Sequence, residues 1–88
     1  MVEIEKTVYF GNLLELYGNL LSVVQKRIMQ DYYENDLTLS EIAQNNKISR
    51  QAVYDAVVKA QAKLSQFEEK VGAYKEISRL KGMINGDI

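Results

Sequence analysis

Between residues 7 and 21, Phe10, Leu13, Leu14, Tyr17, Leu20 and Leu21 recur at three- and four-residue steps. At 3.6 residues per turn such positions line up on one side, the stripe of an amphipathic helix. Gly18 weakens the end of this helix or lets another backbone pass close. Ser22-Val23-Val24-Gln25 fits a capping box, in which the Ser side chain accepts from the backbone three residues on and Gln reaches back. The pattern predicts a second helix from there to about Tyr33, burying Val24, Ile28 and Tyr32. Asn35-Asp36 is a turn signal.

Thr38-Leu39-Ser40-Glu41 is another capping box and opens a short third helix. Asn45-Asn46 should end it, because Asn tolerates the left-handed conformation better than most residues. Ser49 is a good N-cap for a fourth helix, whose inner stripe is Val53, Ala56, Val57, Ala60 and Leu64. The small Ala56 and Ala60 let the short third helix sit close. Arg50, Gln51, Tyr54, Asp55 and Val58 then face outward. Residues 38–64 thus read as a helix-turn-helix. Ser65-Gln66-Phe67-Glu68 fits a third capping box opening a C-terminal helix over about residues 65–82, or else the fourth helix runs on. Leu64, Phe67, Val71 and Tyr74 step by three, four and three, a short heptad-like seam that suggests a homo-oligomer. It fails at Ser78 and Lys81, and the tail from Gly82 is expected to fray.

The predicted architecture is therefore all-α: a single domain of four or five helices, a tri-helical helix-turn-helix with a C-terminal extension. The chain has no Pro, the strongest helix breaker, and its 88 residues bury a small core that association would reinforce. No apolar run approaches the roughly 20 residues of a membrane span; residues 8–21 are interrupted by Gly11, Asn12, Glu15, Gly18 and Asn19. The acidic start (Glu3, Glu5) is wrong for a secretory signal, and the absence of Cys fits a reducing compartment. The expected location is cytoplasmic.

Composition narrows the chemistry. With no His and no Cys, the chain can build neither a His/Cys metal cluster nor a thiol or imidazole catalyst. Glu3, Glu5 and Glu15 have no neighbouring base, nucleophile or pocket signal to make them acid–base partners. No Gly-rich phosphate loop is present. No enzyme, metal or cofactor is expected.

Net charge is −1, whereas dedicated DNA binders usually carry a basic surplus. The distribution is more telling. Residues 1–37 hold three bases against six acids, −3; residues 38–64 hold Lys47, Arg50, Lys59 and Lys63 against Glu41 and Asp55, +2; residues 65–88 hold four of each. The helix-turn-helix is the one net basic segment. Arg50 and Gln51 open its second helix, where side chains reach phosphates and base edges, Arg suiting guanine and Gln adenine. Tyr54 suits base stacking, and Lys47 and Lys59 suit phosphates. Lys26 and Arg27, at the start of the second helix, are candidate backbone contacts. Each also has a plainer reading as a solvated helix residue. Asp55 and Val58 disfavour dense phosphate contact, and a Tyr54–Val58 patch suits a protein partner. Tyr32 and Tyr33 read as core and rim.

The run Leu13-Leu14-Glu15-Leu16-Tyr17-Gly18-Asn19-Leu20-Leu21, then Gln25-Lys26-Arg27, Tyr32-Tyr33, Leu39-Ser40-Glu41-Ile42-Ala43 and Ile48-Ser49-Arg50-Gln51-Ala52-Val53-Tyr54-Asp55 resembles the YlxM family of small bacterial helix-turn-helix proteins. The likeness covers roughly residues 10–72. The helix-turn-helix is more distantly similar to region 4 of bacterial sigma factors. The resemblance implies an all-α cytoplasmic protein without enzymatic activity. Its genes typically neighbour those of the signal recognition particle GTPase and its receptor, which implies a regulatory or accessory role in that pathway. The partners so implied are DNA or the particle's RNA, and the GTPase or its receptor. The alternative is a protein-interaction adaptor without significant nucleic-acid affinity. In the turn, Asn46 and Lys47 stand where the family usually has Leu then Gly. Losing a buried Leu contact costs on the order of 1–3 kcal/mol, and Lys at positive φ costs roughly 1 kcal/mol.

Overall fold

The computed structural model describes the backbone of residues 2–86 and the side chains of residues 6–82. Five α-helices follow one another: α1 (Val2–Tyr17), α2 (Val23–Tyr33), α3 (Leu39–Asn46), α4 (Arg50–Val71) and α5 (Ala73–Gly86), with a 3-10 turn at Gly18–Leu20 between the first two. Among the described residues there is no strand. The all-α architecture is as the helical spacing predicts. Helix α4 is the axle: α1, α2 and α3 all pack against it, and α5 folds back along α1 from its far end.

One core joins these helices. Leu13, Ile28, Met29, Ile42, Val53 and Leu64 are its largest fully buried side chains, so α1, α2, α3 and α4 each contribute to the same apolar centre. Val53, Val57, Ala60 and Leu64 are the buried line of α4. Ala56 is half-buried beside them.

The helix starts follow the local chemistry. Ser22 Oγ accepts from Gln25 N at 3.1 Å while Ser22 N donates to Gln25 Oε1 at 3.3 Å. Thr38 Oγ1 accepts from Glu41 N at 3.1 Å while Thr38 N donates to Glu41 Oε1 at 2.9 Å. Both predicted capping boxes are formed. Ser49 Oγ accepts from Ala52 N at 3.0 Å and starts α4. Asp36, at φ 58°, makes the turn before α3.

Several expectations are corrected. In α2 the buried line is not Val24–Ile28–Tyr32. Val24 is 51% exposed, Tyr32 lies at the surface, and Met29 is fully buried. The helix is rolled so that Gln25 and Tyr33, four residues either side of Met29, turn inward, and Gln61 of α4 donates to the Tyr33 hydroxyl. Leu20 is 60% exposed, because α1 ends at Tyr17 and the three-fold 3-10 turn shifts the phase of the stripe. The buried Gly18 meets no foreign backbone; a Cβ there would lie 3.3 Å from Leu14 Cδ1.

No helix starts at Ser65. Helix α4 runs on to Val71 and breaks at Gly72, whose φ of 70° favours glycine. The seam Leu64–Phe67–Val71–Tyr74 is largely internal. Leu64 is fully buried, Phe67 and Tyr74 pack against the core, and of the four Val71 stands exposed. Helices α1 and α5 cover what a second chain would otherwise meet. The expected fraying from Gly82 does not appear, since α5 continues to Gly86; Asp87 and Ile88 lie outside the described residues, as do the side chains of Glu3 and Glu5.

Candidate nucleic-acid interface

The turn between α3 and α4 sets the site. Lys47 holds φ 55°, ψ 42°, the left-handed position expected of Asn45-Asn46. Lys47 N donates to Gln44 O at 3.3 Å and Ile48 N to Ala43 O at 3.1 Å, the paired closing bonds of a Schellman motif. Asn46 remains helical and does other work. Its Nδ2 donates to Ile42 O at 2.7 Å, and its Oδ1 accepts from Arg27 Nε at 3.1 Å and Nη2 at 2.9 Å. A leucine there could do neither, and the polar residue makes a clasp between α2 and the turn.

This turn delivers α4 with Ser49 at its cap and Arg50 as its first residue. Arg50, Gln51 and Tyr54 are exposed, and helical spacing brings them to one side of the first turns. Gln51 Nε2 donates to Asp55 Oδ1 at 3.0 Å, which engages that carboxylate locally. The Arg50 and Lys47 side chains have no hydrogen-bond or ion-pair partner among the described residues. A guanidinium at a helix start opposes the macrodipole, so here it is left to solvent or a ligand. Tyr54 is 51% and Val58 43% exposed.

The remaining candidates do not join this cluster. Lys59 is nine residues beyond Arg50, about two and a half turns, and so emerges on the opposite side of α4. Arg27 is held by Asn46, and Lys26 Nζ donates to Asn19 Oδ1. Lys63 Nζ donates to Gln25 Oε1 at 3.1 Å. Tyr32 and Tyr33 meet edge to face, ring centroids 4.9 Å apart, and burial pushes the Tyr33 hydroxyl pKa up.

A second polar constellation was not anticipated from sequence. Glu68, in the last turn of α4, aims its carboxylate across the Gly72 break. Oε1 accepts from Tyr74 N at 3.0 Å and Oε2 from Lys75 N at 3.0 Å, so Glu68 caps α5 from the preceding helix. The available signal was an acid in the last turn of a helix, where the macrodipole disfavours it. Burial pushes the Glu68 carboxyl up, but the Tyr17 hydroxyl and the Lys75 and Tyr74 amides outweigh it and leave the group below its ordinary value. Burial, then the Glu68 carboxylate, raises the Tyr17 hydroxyl.

Among the described residues there is no group of His, Cys, Asp and Glu that could hold a metal ion. No described helix is long and apolar enough to cross a membrane.

A tri-helical unit with a capped short helix, a left-handed turn and an outward-facing second helix defines a helix-turn-helix protein. Comparison with known families agrees. Residues 4–86 match the UPF0122 family, described as "Putative helix-turn-helix protein, YlxM / p13 like". A UPF0122 protein of Fusobacterium nucleatum is 47% identical over 72 residues, 82% of this chain and 70% of that protein. The UPF0122 protein YlxM of Bacillus subtilis is 40% identical over 84 residues, 96% of this chain and 76% of the relative. A UPF0122 protein of Malacoplasma penetrans is 51% identical over 59 residues, 67% and 55% of the two chains. The chain belongs to the UPF0122 family, which is described by its helix-turn-helix and not by a reaction.

Proposed function

We propose that this protein is a regulatory nucleic-acid-binding module that engages DNA or RNA through the start of α4. The observation that carries the reading is the shared exposure of Arg50, Gln51 and Tyr54 beside a capped turn, with the Arg50 charge unengaged among the described residues. Arg50 supplies a planar fork for phosphate or guanine, Gln51 a donor and acceptor pair, and Tyr54 a ring for stacking. Lys47 adds a phosphate contact next to them. The family resemblance extends the proposal to an accessory role in the signal recognition particle pathway. There the particle's RNA is the candidate polymer, and its GTPase or receptor the candidate protein partner. A cytoplasmic location goes with that role.

A second reading has its own support. Tyr54 and Val58 are exposed on the same helix as Asp55, an apolar and acidic combination that suits a protein partner better than a phosphate backbone. In this reading the chain is an adaptor. A titration with DNA and with the particle RNA across salt concentrations separates the two. Nucleic-acid binding requires an affinity that falls steeply with salt and is mostly lost in Arg50→Ala. No binding of either polymer at low salt leaves the adaptor.

A further inference from the structure

Helix α5 is fastened at its start and open further along. Tyr74 packs edge to face on Tyr9, ring centroids 5.3 Å apart. One and two turns later, Ile77 and Leu80 are 41% and 45% exposed, and Leu16 of α1 is 40% exposed. Leu16, Tyr74 and Ile77 line an open groove between the two helices, together with Asn12 and Glu15 on the α1 side and Ser78 and Lys81 on the α5 side. The two charges are opposite and share one groove. Yet neither has an ion-pair or hydrogen-bond partner among the described residues.

We propose that this groove is the contact surface for a second copy of the same chain, related by a two-fold axis. A two-fold interface must be self-complementary, each residue meeting on the partner what the partner's copy meets in return. A groove with Leu16, Tyr74 and Ile77 along it, one acid on one bank and one base on the other, has that property when the axis runs along it. Turned on itself, it sets Glu15 against Lys81 of the partner subunit, and Lys81 against Glu15 of the partner subunit, with Leu16, Tyr74 and Ile77 between them. An apolar centre and a charged rim is the usual anatomy of such contacts. A net charge of −1 per chain leaves little repulsion between copies. No residue of α4 lines the groove.

Sedimentation equilibrium of the full chain from micromolar to millimolar concentration tests the proposal. The mass is expected to rise with concentration to twice that of the monomer. Glu15→Lys and Lys81→Glu, each placing like charges together at two symmetric points, weaken association by about tenfold. The double reversal restores it to within about threefold of the original. Ile77→Asp abolishes it. All three substituted positions are exposed, and an unchanged helical circular-dichroism signal and melting temperature at concentrations where the original protein is monomeric certify each fold. A monomer at every concentration overturns the proposal. So does a dimer indifferent to Ile77→Asp and both single reversals, or a double reversal that restores nothing.

Discussion

The Tyr17 hydroxyl donates to Glu68 Oε1 at 2.7 Å and accepts from Ala73 N at 3.1 Å. The end of α1 thereby closes the corner at which α4 passes into α5. Tyr17→Phe keeps the ring against Phe67 and removes both bonds. The expected outcome is a loss of hydrogen-exchange protection of about tenfold at the Ala73 amide, with Tyr74 and Lys75 following as Glu68 loosens. Amides in the middle of α4 keep theirs.

The same corner responds to acid. The Glu68 carboxyl titrates below its ordinary value of 4.5 when folded. Its stabilisation is therefore complete above that value and lost as pH falls through the lower folded one. Glu68→Gln should lower the denaturation midpoint at pH 7, and the difference from the unaltered protein should shrink as pH falls below 4.5. Tyr17 is raised from 10.0, so its contribution is complete below that pH and fades as pH rises through the folded value. Urea titrations over the pH range measure both limbs; a difference that stays constant into acid would show that the Glu68 charge is not what matters.

Lys47→Gly should stabilise the protein. Lys47 sits at φ 55°, and relieving a left-handed non-glycine residue is worth about 1 kcal/mol. For a domain of this size that raises the melting temperature by about 4–8 °C. An unchanged or lower melting temperature would mean that the Lys47 side chain supports the turn.

Leu64→Ala should cost about 2–5 kcal/mol, as for other fully buried leucines. The loss should be the same at every protein concentration, since Leu64 packs inside one chain. A loss that grows with concentration would return Leu64 to an interface.

Arg50→Ala and Tyr54→Ala are both at exposed positions, so each should leave the melting temperature within about 1 °C of the original. If nucleic acid is the ligand, Arg50→Ala removes most of the affinity and flattens its salt dependence. If a protein is the ligand, Tyr54→Ala releases it and Arg50→Ala does not. Parallel binding and pull-down measurements on the two variants distinguish these outcomes.

The sequence by itself determined the parts ruled by near neighbours. The capping boxes at Ser22 and Thr38, the Ser49 cap and the inner stripe of α4 each depend on residues within one or two turns, so short-range chemistry suffices. It also determined which helix carries Arg50, Gln51 and Tyr54 outward, because the apolar stripe leaves them one side. Tertiary structure decided the rest. The roll of α2 toward Met29 depends on how α1 and α4 meet it, and the fate of Leu64, Phe67 and Tyr74 on α1 and α5 closing over them. The clasp from Arg27 to Asn46 and the capping of α5 by Glu68 join residues whose proximity no local periodicity encodes. Such long-range pairs form only when separate helices dock, and their geometry is a property of the docked whole.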